Sequence, residues 1–366
     1  QDIFAHLNGG IPQADVDAMT TLWSLCASLK TDLFMPSANA GYLQFTDKAK
    51  ADMDSTIQQN ASYQKQNDDY KATIAKWEEH MKEQLPSVCP DCQPKLLIDS
   101  WGKDILSIFQ DCGSLVNEYD VYDELCKYWE ETMQDDAYMV SRDGWKVTIS
   151  LPKDKKGNIK KSFTYEDISC DLLPSMVLVN ACYPKELSTI QGFNTDIEDL
   201  ESKMASIVEE KTDSFVEEKT DSFSDFLNDK GQVKLSELKA EIKKAKKTPA
   251  DYDQSDVDNW NAYNEKAEEL ERKKKALKEA VAILTTSVQG KYKTLTEDEV
   301  RELVFAHKWM PTMRQNLESL MLNAQQKVSA DMHALNARYE NTLDTLVDSA
   351  NEFEATVMSH LKEMGF

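Results

Sequence analysis

The chain is poor in glycine, and its glycines are not spaced as a nucleotide-binding loop requires. Only 11 of its 366 residues are glycine, and no Gly-x-Gly sequence occurs. A dinucleotide-binding turn or a P-loop needs closely spaced glycines, because the backbone must approach a phosphate. We therefore predict no cofactor-binding and no catalytic residue within this sequence.

Other features that the sequence lacks exclude further classes of protein. No run of about 18 apolar residues exists, so no membrane-spanning helix is predicted. The five histidines are far apart and form none of the His-x-x-x-His or His-Glu-x-x-His pairs of zinc enzymes. Acidic residues outnumber basic ones and give a formal net charge of −23, which repels nucleic acid. We predict no metal site, no membrane partner and poor DNA binding by this polypeptide alone.

The seven cysteines are scattered and odd in number, and only one pair is closely spaced, Cys89-Pro-Asp-Cys92. A tetrahedral zinc site would need two more ligands at similar spacing, and none follows. An ordinary loop is therefore favoured over half a zinc site or a redox dithiol. Because no signal peptide is present, we expect a cytoplasmic protein. The chain begins at Gln1 and not at methionine, so we interpret it as a fragment of a longer protein.

The spacing of apolar residues is helical along most of the chain, which predicts a mainly α fold. We expect a helical region over 1–94, with a loop around 35–41. A second region, 95–186, should combine helices with one small β-hairpin.

The hairpin is predicted near 138–165 because the apolar period changes there from helical to two. After Gly144, every second residue from Val147 to Leu151 is apolar, which is typical of a half-buried strand. A turn sequence and a second short apolar stretch follow. The lysines of 153–161 could form a phosphate-binding patch, but nothing else nearby is basic, so a solvated hairpin tip is favoured.

Residues 187–290 carry apolar residues at alternating steps of three and four, the spacing of a coiled coil. Thr248-Pro249 interrupts this pattern and allows the chain to reverse, so we predict an antiparallel coiled-coil arm that protrudes from the fold. Within the arm, the octapeptide 208–215 is repeated as 216–223. Eight residues are one more than a heptad, so the repeat rotates the apolar stripe by about 100° relative to a heptad pattern. We therefore expect the duplication at an exposed tip.

The region 291–366 is predicted to contain long C-terminal helices. Thr296 and Glu299 form a capping-box sequence that begins one of them. From Trp309 onward, apolar residues mostly three or four apart form one continuous stripe: Leu317, Leu320, Ala324, Val328, Met332, Leu335, Leu343, Leu346, Ala350, Phe353, Val357 and Leu361. Periodicity alone favours packing within the chain, on the 187–290 hairpin. The other possibility is docking on the helices of a partner.

Four stretches, in this order, carry a resemblance to a known family. They are FAHLNGGIP at 4–12, YDVYDELCKYWEETMQDD at 119–136, CDLLP at 170–174, and the end from Lys308 through HLKEMGF at 360–366. Together they resemble the C-terminal half of the methyltransferase (M) subunit of type I restriction-modification systems. The similarity is greatest to longer M subunits with a coiled-coil insertion, and the 208–223 duplication departs from the family pattern.

The resemblance implies a parent enzyme that transfers methyl from S-adenosylmethionine to adenine N6 in DNA. Its cofactor loop and its Asn-Pro-Pro-aromatic loop would precede residue 1, in agreement with the absence of Pro-Pro here. The implied partners are a specificity (S) subunit, a second M subunit and a restriction (R) subunit, with DNA bound only through the full complex. Because the family's C-terminal helices dock on helical spacers of the S subunit, the predicted docking residues are Leu335, Leu343, Leu346, Ala350, Phe353 and Val357.

The alternative is a stand-alone structural coiled-coil adaptor without enzymatic activity. The gene upstream of Gln1 would discriminate between the two. A methyltransferase domain in the same reading frame supports the M subunit, and a start codon next to Gln1 supports the adaptor.

Overall fold

A computed structural model of the chain describes residues 10–209, 223–228, 232–340 and 343–364. The fold is mainly α, as predicted. The helices are α1 (Gln13–Asp17), α2 (Thr20–Leu25), α3 (Ala27–Leu33), α4 (Asp47–Ala51), α5 (Met53–Gln58), α6 (Ala61–Gln84), α7 (Pro94–Gln110), α8 (Glu118–Tyr128), α9 (Gln134–Asp143), α10 (Ser175–Cys182), α11 (Pro184–Glu209), α12 (Leu235–Ala245), α13 (Gln254–Thr294), α14 (Glu297–Val304), α15 (Met310–Tyr339) and α16 (Leu343–Glu363). The strands are β1 (Ile11–Pro12), β2 (Phe34–Pro36) and β3 (Tyr42–Phe45).

The chain divides into two compact units. Unit 1 comprises 1–145 together with 308–366, and unit 2 comprises 146–307. Unit 1 therefore contains the helices at both ends of the chain, whereas unit 2 is one continuous segment. Sequence patterning cannot show that residues before 146 and after 307 belong to one unit.

The first half of unit 1 is built on a small antiparallel sheet in the order β1-β3-β2. Phe34 and Phe45 face each other across β2 and β3, with ring centroids 4.7 Å apart, and both are buried among the helices α2 to α5. The sequence predicted only helix and a loop in this region, which is wrong for the strands. Strands of two to four residues are too short to produce a recognisable alternating pattern.

The second half of unit 1 is helical and contains a cluster of four tryptophans. Trp101 lies 5.7 Å from Trp129 and 6.4 Å from Trp309, and Trp145 lies 5.9 Å from Trp309, measured between ring centroids. All four side chains are buried. A π-helical turn, Trp129–Met133, joins α8 to α9, and a second one, Phe305–Trp309, precedes α15. The chain leaves and re-enters unit 1 beside this cluster, at 145 and 308.

Unit 2 contains the predicted antiparallel helix pair, formed by α11 and α13. Lys273 pairs with Asp196 at 2.6 Å, and nearer the start of α11 the Tyr183 hydroxyl donates to the Ser287 carbonyl at 3.2 Å, so the two helices run in opposite directions. The short helix α12 packs on α13 and adds to an apolar cluster at the Pro249 end of the pair. Near the end of unit 2, the predicted capping box of Thr296 and Glu299 is present at the start of α14.

The predicted hairpin near 138–165 requires a correction. Residues up to Asp143 belong to α9, and the stretch after Gly144 forms only two isolated antiparallel bridges, Ser150 to Ser169 and Lys153 to Ile159. The predicted alternation is present from 146 to 151, where residues 147, 149 and 151 are half-buried and 146, 148 and 150 are exposed. Pro152 follows directly and has no amide proton to donate to a ladder, which is consistent with pairing limited to single bridges.

The duplicated octapeptides lie almost entirely outside the described residues. The last residue of the second copy, Phe223, is described, and it is fully buried against Tyr263 at a centroid distance of 5.4 Å. This end of the duplication is therefore part of the apolar cluster of unit 2 and not exposed.

Candidate partner-docking surface

The C-terminal helices are held to unit 1 by a buried ion pair. Asp136 accepts from Lys308 Nζ at 2.8 Å and from the Trp309 indole Nε1 at 2.7 Å, while the Tyr128 hydroxyl donates to the Lys308 carbonyl at 3.1 Å. Only 2% of Asp136 is exposed. No local sequence pattern predicts this environment for Asp136. Its two partners lie 172 and 173 residues further along the chain and could not be paired with it by spacing.

Burial raises the pKa of Asp136 above its ordinary value, although the charge of Lys308 and the two hydrogen bonds oppose this shift. Removing the carboxylate from water is the larger effect because the side chain is almost completely enclosed. Asp136 thus has a structural role: its oxygens hold the first turn of the C-terminal helices against α9.

The helix α15 is part of the core of unit 1. It packs against α5, α6 and α8, and its buried side chains lie in two stretches, 310–321 and 332–339, whereas Leu322 between them is exposed. The Tyr70 hydroxyl donates to the Leu317 carbonyl at 3.0 Å, and the Tyr339 hydroxyl donates to Asp15 at 2.5 Å. Leu335 is only 7% exposed and belongs to the apolar cluster of the first half of unit 1. Leu335, one of the predicted docking residues, is therefore already buried within the chain.

The helix α16 is different, because every side chain from Leu346 to His360 is exposed. This includes the predicted docking residues Leu346, Ala350, Phe353 and Val357, with Phe353 exposed to 75%. Leu343 begins the helix, but its side chain lies outside the described residues. The sequence could not distinguish α15 from α16, because one apolar stripe runs through both.

The exposed residues of α16 have the spacing of a helix that packs against other helices. Leu346, Ala350, Phe353 and Val357 follow one another at steps of four, three and four, so they line one face. Five acidic residues and one lysine give the helix a net charge of −4. A second copy of α16 would bring two such negative charges together. The surface thus suits an apolar helical partner with basic flanks.

Unit 1 also contains a serine, a histidine and an aspartate in one cluster, which sequence alone could not reveal. Asp54 accepts a hydrogen bond from Ser329, and its Oδ1 lies 3.2 Å from His333 Nε2. These contacts lower the pKa of Asp54, with Ser329 contributing most. A nucleophilic serine must be hydrogen-bonded to the histidine that takes its proton. Here both groups contact the aspartate instead, so the cluster lacks the arrangement of a catalytic triad.

The Cys89-Cys92 loop is an ordered turn. The Cys92 amide donates to the Cys89 carbonyl at 3.1 Å, and the turn is attached to α9 through Ser141, which accepts from the Asp91 amide at 2.9 Å and donates to the Cys92 carbonyl at 2.7 Å. Among the described residues, no three His, Cys, Asp or Glu side chains are grouped so that they could hold a metal ion. The loop therefore offers two of the four ligands that zinc needs.

Comparison of the chain with protein-family models, with curated proteins and with solved structures returns no match. None of the helices in the described parts of the chain combines the length and apolarity needed to cross a bilayer. The fold and the exposed helix thus define a mainly α protein with an uncovered apolar helix face.

Proposed function

We propose that this chain is the C-terminal, assembly-mediating part of a type I restriction-modification DNA adenine-N6 methyltransferase subunit, and that α16 docks on the helical spacers of the specificity subunit. The observation that supports docking is the exposed stripe of Leu346, Ala350, Phe353 and Val357. The choice of family rests on the resemblance of the four stretches described above. S-adenosylmethionine, the second M subunit and the R subunit belong to the same proposal and concern the whole enzyme.

The exposed stripe can supply a useful part of the binding free energy. Each fully buried Leu, Phe or Val side chain contributes roughly 1.5–3 kcal/mol. Burying Leu346, Phe353 and Val357 would thus contribute about 5–9 kcal/mol before the costs of association are subtracted. An aspartate at two of these positions would remove at least about 3 kcal/mol of this and leave two charges to be desolvated. We expect the affinity to fall by at least about a hundredfold.

The test is co-purification of the chain with the specificity subunit encoded beside it. The stripe variant is Leu346→Asp/Phe353→Asp. The control is Ala355→Asp/Ser359→Asp, which adds the same two charges to the opposite, also exposed, face of α16. We expect the stripe variant to lose the specificity subunit and the control to retain it. Co-purification of the stripe variant at wild-type yield would show that α16 is not the docking helix.

The family proposal has a separate test, since a helix can dock in many kinds of assembly. The reading frame upstream of Gln1 should encode a methyltransferase domain with an Asn-Pro-Pro-aromatic loop. Its absence would refute the family proposal and favour the stand-alone adaptor, without any bearing on whether α16 binds a helix.

A further inference from the structure

Unit 2 carries a short positively charged loop in a chain that is otherwise strongly acidic. We call residues 153–161 the lysine tip. It contains five lysines, Lys153, Lys155, Lys156, Lys160 and Lys161, against the single acidic residue Asp154, which is a local net charge of +4. All nine residues are exposed.

The lysine tip is an ordered turn and not a loose loop. Lys153 and Ile159 form an antiparallel bridge, the Asp154 amide donates to the Asn158 carbonyl at 2.7 Å, and the Gly157 amide donates to the Asp154 carbonyl at 3.0 Å. Gly157 has a φ of +83°, a conformation that glycine adopts without strain. The lysines are thus presented from a fixed backbone.

The acidic residue in the lysine tip is used by the turn itself. The carboxylate Oδ1 of Asp154 accepts from the backbone amides of Lys156 at 2.8 Å and Asn158 at 2.9 Å. Its charge is directed at the backbone of the turn. Within the described residues, none of the five lysines has a carboxylate within ion-pair distance. Lys160 adds slightly to lowering the pKa of Asp167, but that carboxylate is bonded mainly to Thr164.

We propose that the lysine tip contacts the phosphate backbone of a nucleic acid. Lysine is depleted in the cores of protein–protein interfaces, and the lysine tip has only one exposed apolar side chain, Ile159, with which to anchor a protein or a lipid surface. A phosphate backbone, in contrast, offers a continuous row of charges for several point cations. At physiological salt the Debye length is about 8 Å, so the charges nearest to the lysine tip contribute most to its attraction for a phosphate.

Salt dependence provides the test. Each lysine–phosphate contact with duplex DNA contributes about −0.9 to the slope of log K against log salt concentration. The net charge of −23 opposes DNA binding, so the measurement is made at low salt, where polarisation of a fluorescent 25-base-pair DNA should reveal weak binding by the full chain at 50 mM. In Lys155→Ala/Lys156→Ala the slope should be shallower by about 1.8. The fold decrease in affinity between 50 and 200 mM salt should therefore be about one twelfth of the decrease seen for the wild type.

The control variant is Lys275→Ala/Lys278→Ala, which removes two exposed lysines from α13 and should leave the slope unchanged. Thermal unfolding of both variants should match the wild type, because the turn is held by backbone groups and Asp154. The proposal is overturned if the wild type does not bind DNA at 50 mM salt, or if both variants change the slope equally. It is also overturned if the lysine tip governs binding to phosphatidylserine vesicles or polyglutamate but not to DNA. None of these outcomes depends on the docking of α16.

Discussion

The buried pair of Asp136 and Lys308 allows a quantitative prediction about what holds the C-terminal helices in place. In Asp136→Ala, Lys308, whose side chain is 12% exposed in the wild type, loses this ion pair, and the Trp309 indole loses its acceptor. Removing one partner of a buried ion pair costs about 3–5 kcal/mol, much more than the roughly 1 kcal/mol of an average hydrogen bond. We expect Asp136→Ala to lower the free energy of unfolding of unit 1 by 3–5 kcal/mol.

Urea unfolding followed by tryptophan fluorescence measures this loss, because Trp309 bonds Asp136 directly and Trp101, Trp129 and Trp145 belong to the same aromatic cluster. The matched control is Asp135→Ala, the same substitution at the exposed neighbouring residue, which should change the stability by less than about 0.5 kcal/mol. If both variants lose the same amount, or if neither loses more than 1 kcal/mol, then Asp136 does not hold the C-terminal helices.

The pH dependence of this pair follows from the raised pKa of Asp136. A carboxyl group whose pKa is higher in the folded than in the unfolded state binds its proton more readily when folded, so lowering the pH through this interval favours the folded state. We expect the wild type to gain stability relative to Asp136→Asn as the pH falls from neutral towards the ordinary value of 3.8. A difference that stays constant over this range would show that the pKa of Asp136 is not raised.

Two further predictions test other parts of the structure. Leu335→Ala should destabilise unit 1 by about 2–5 kcal/mol, whereas Leu346→Ala should change the stability by less than about 0.5 kcal/mol, because the first side chain is buried and the second is exposed. Equal losses in thermal or urea unfolding would place both leucines in the same environment. In unit 2, the Thr296 amide and Lys291 lower the pKa of Glu299 to about 2, so its stabilising contribution is complete above the ordinary value of 4.5 and lost as the pH falls towards 2. Glu299→Gln should therefore flatten the acid side of the stability curve of unit 2, and an unchanged curve would contradict this.

The elements that sequence predicted correctly are those determined by a long apolar period or by a local hydrogen-bonding motif. The antiparallel pair of α11 and α13 and the capping box of Thr296 are of this kind, since spacing and local hydrogen bonds determine them. The strands between 11 and 45 were missed because each has at most four residues, too few for an alternating pattern to be recognised.

What sequence could not show was the environment of each residue. Leu335 and Leu346 lie on one apolar stripe, yet the first is in the core and the second is uncovered. An apolar period indicates that a face is suited to burial, but it does not identify what covers that face. Asp136 shows the same limit for charge, because its burial depends on residues brought together only by the fold.

The most direct test of the central proposal is hydrogen–deuterium exchange along 343–364, in the chain alone and with the specificity subunit bound. In the chain alone, the amides of α16 should exchange rapidly, since none of its described side chains from Leu346 to His360 is covered. In the complex these amides should become strongly protected, while those of α15, already part of the core, should change little. If the complex forms and α16 exchanges as rapidly as before, the uncovered helix is not the docking surface.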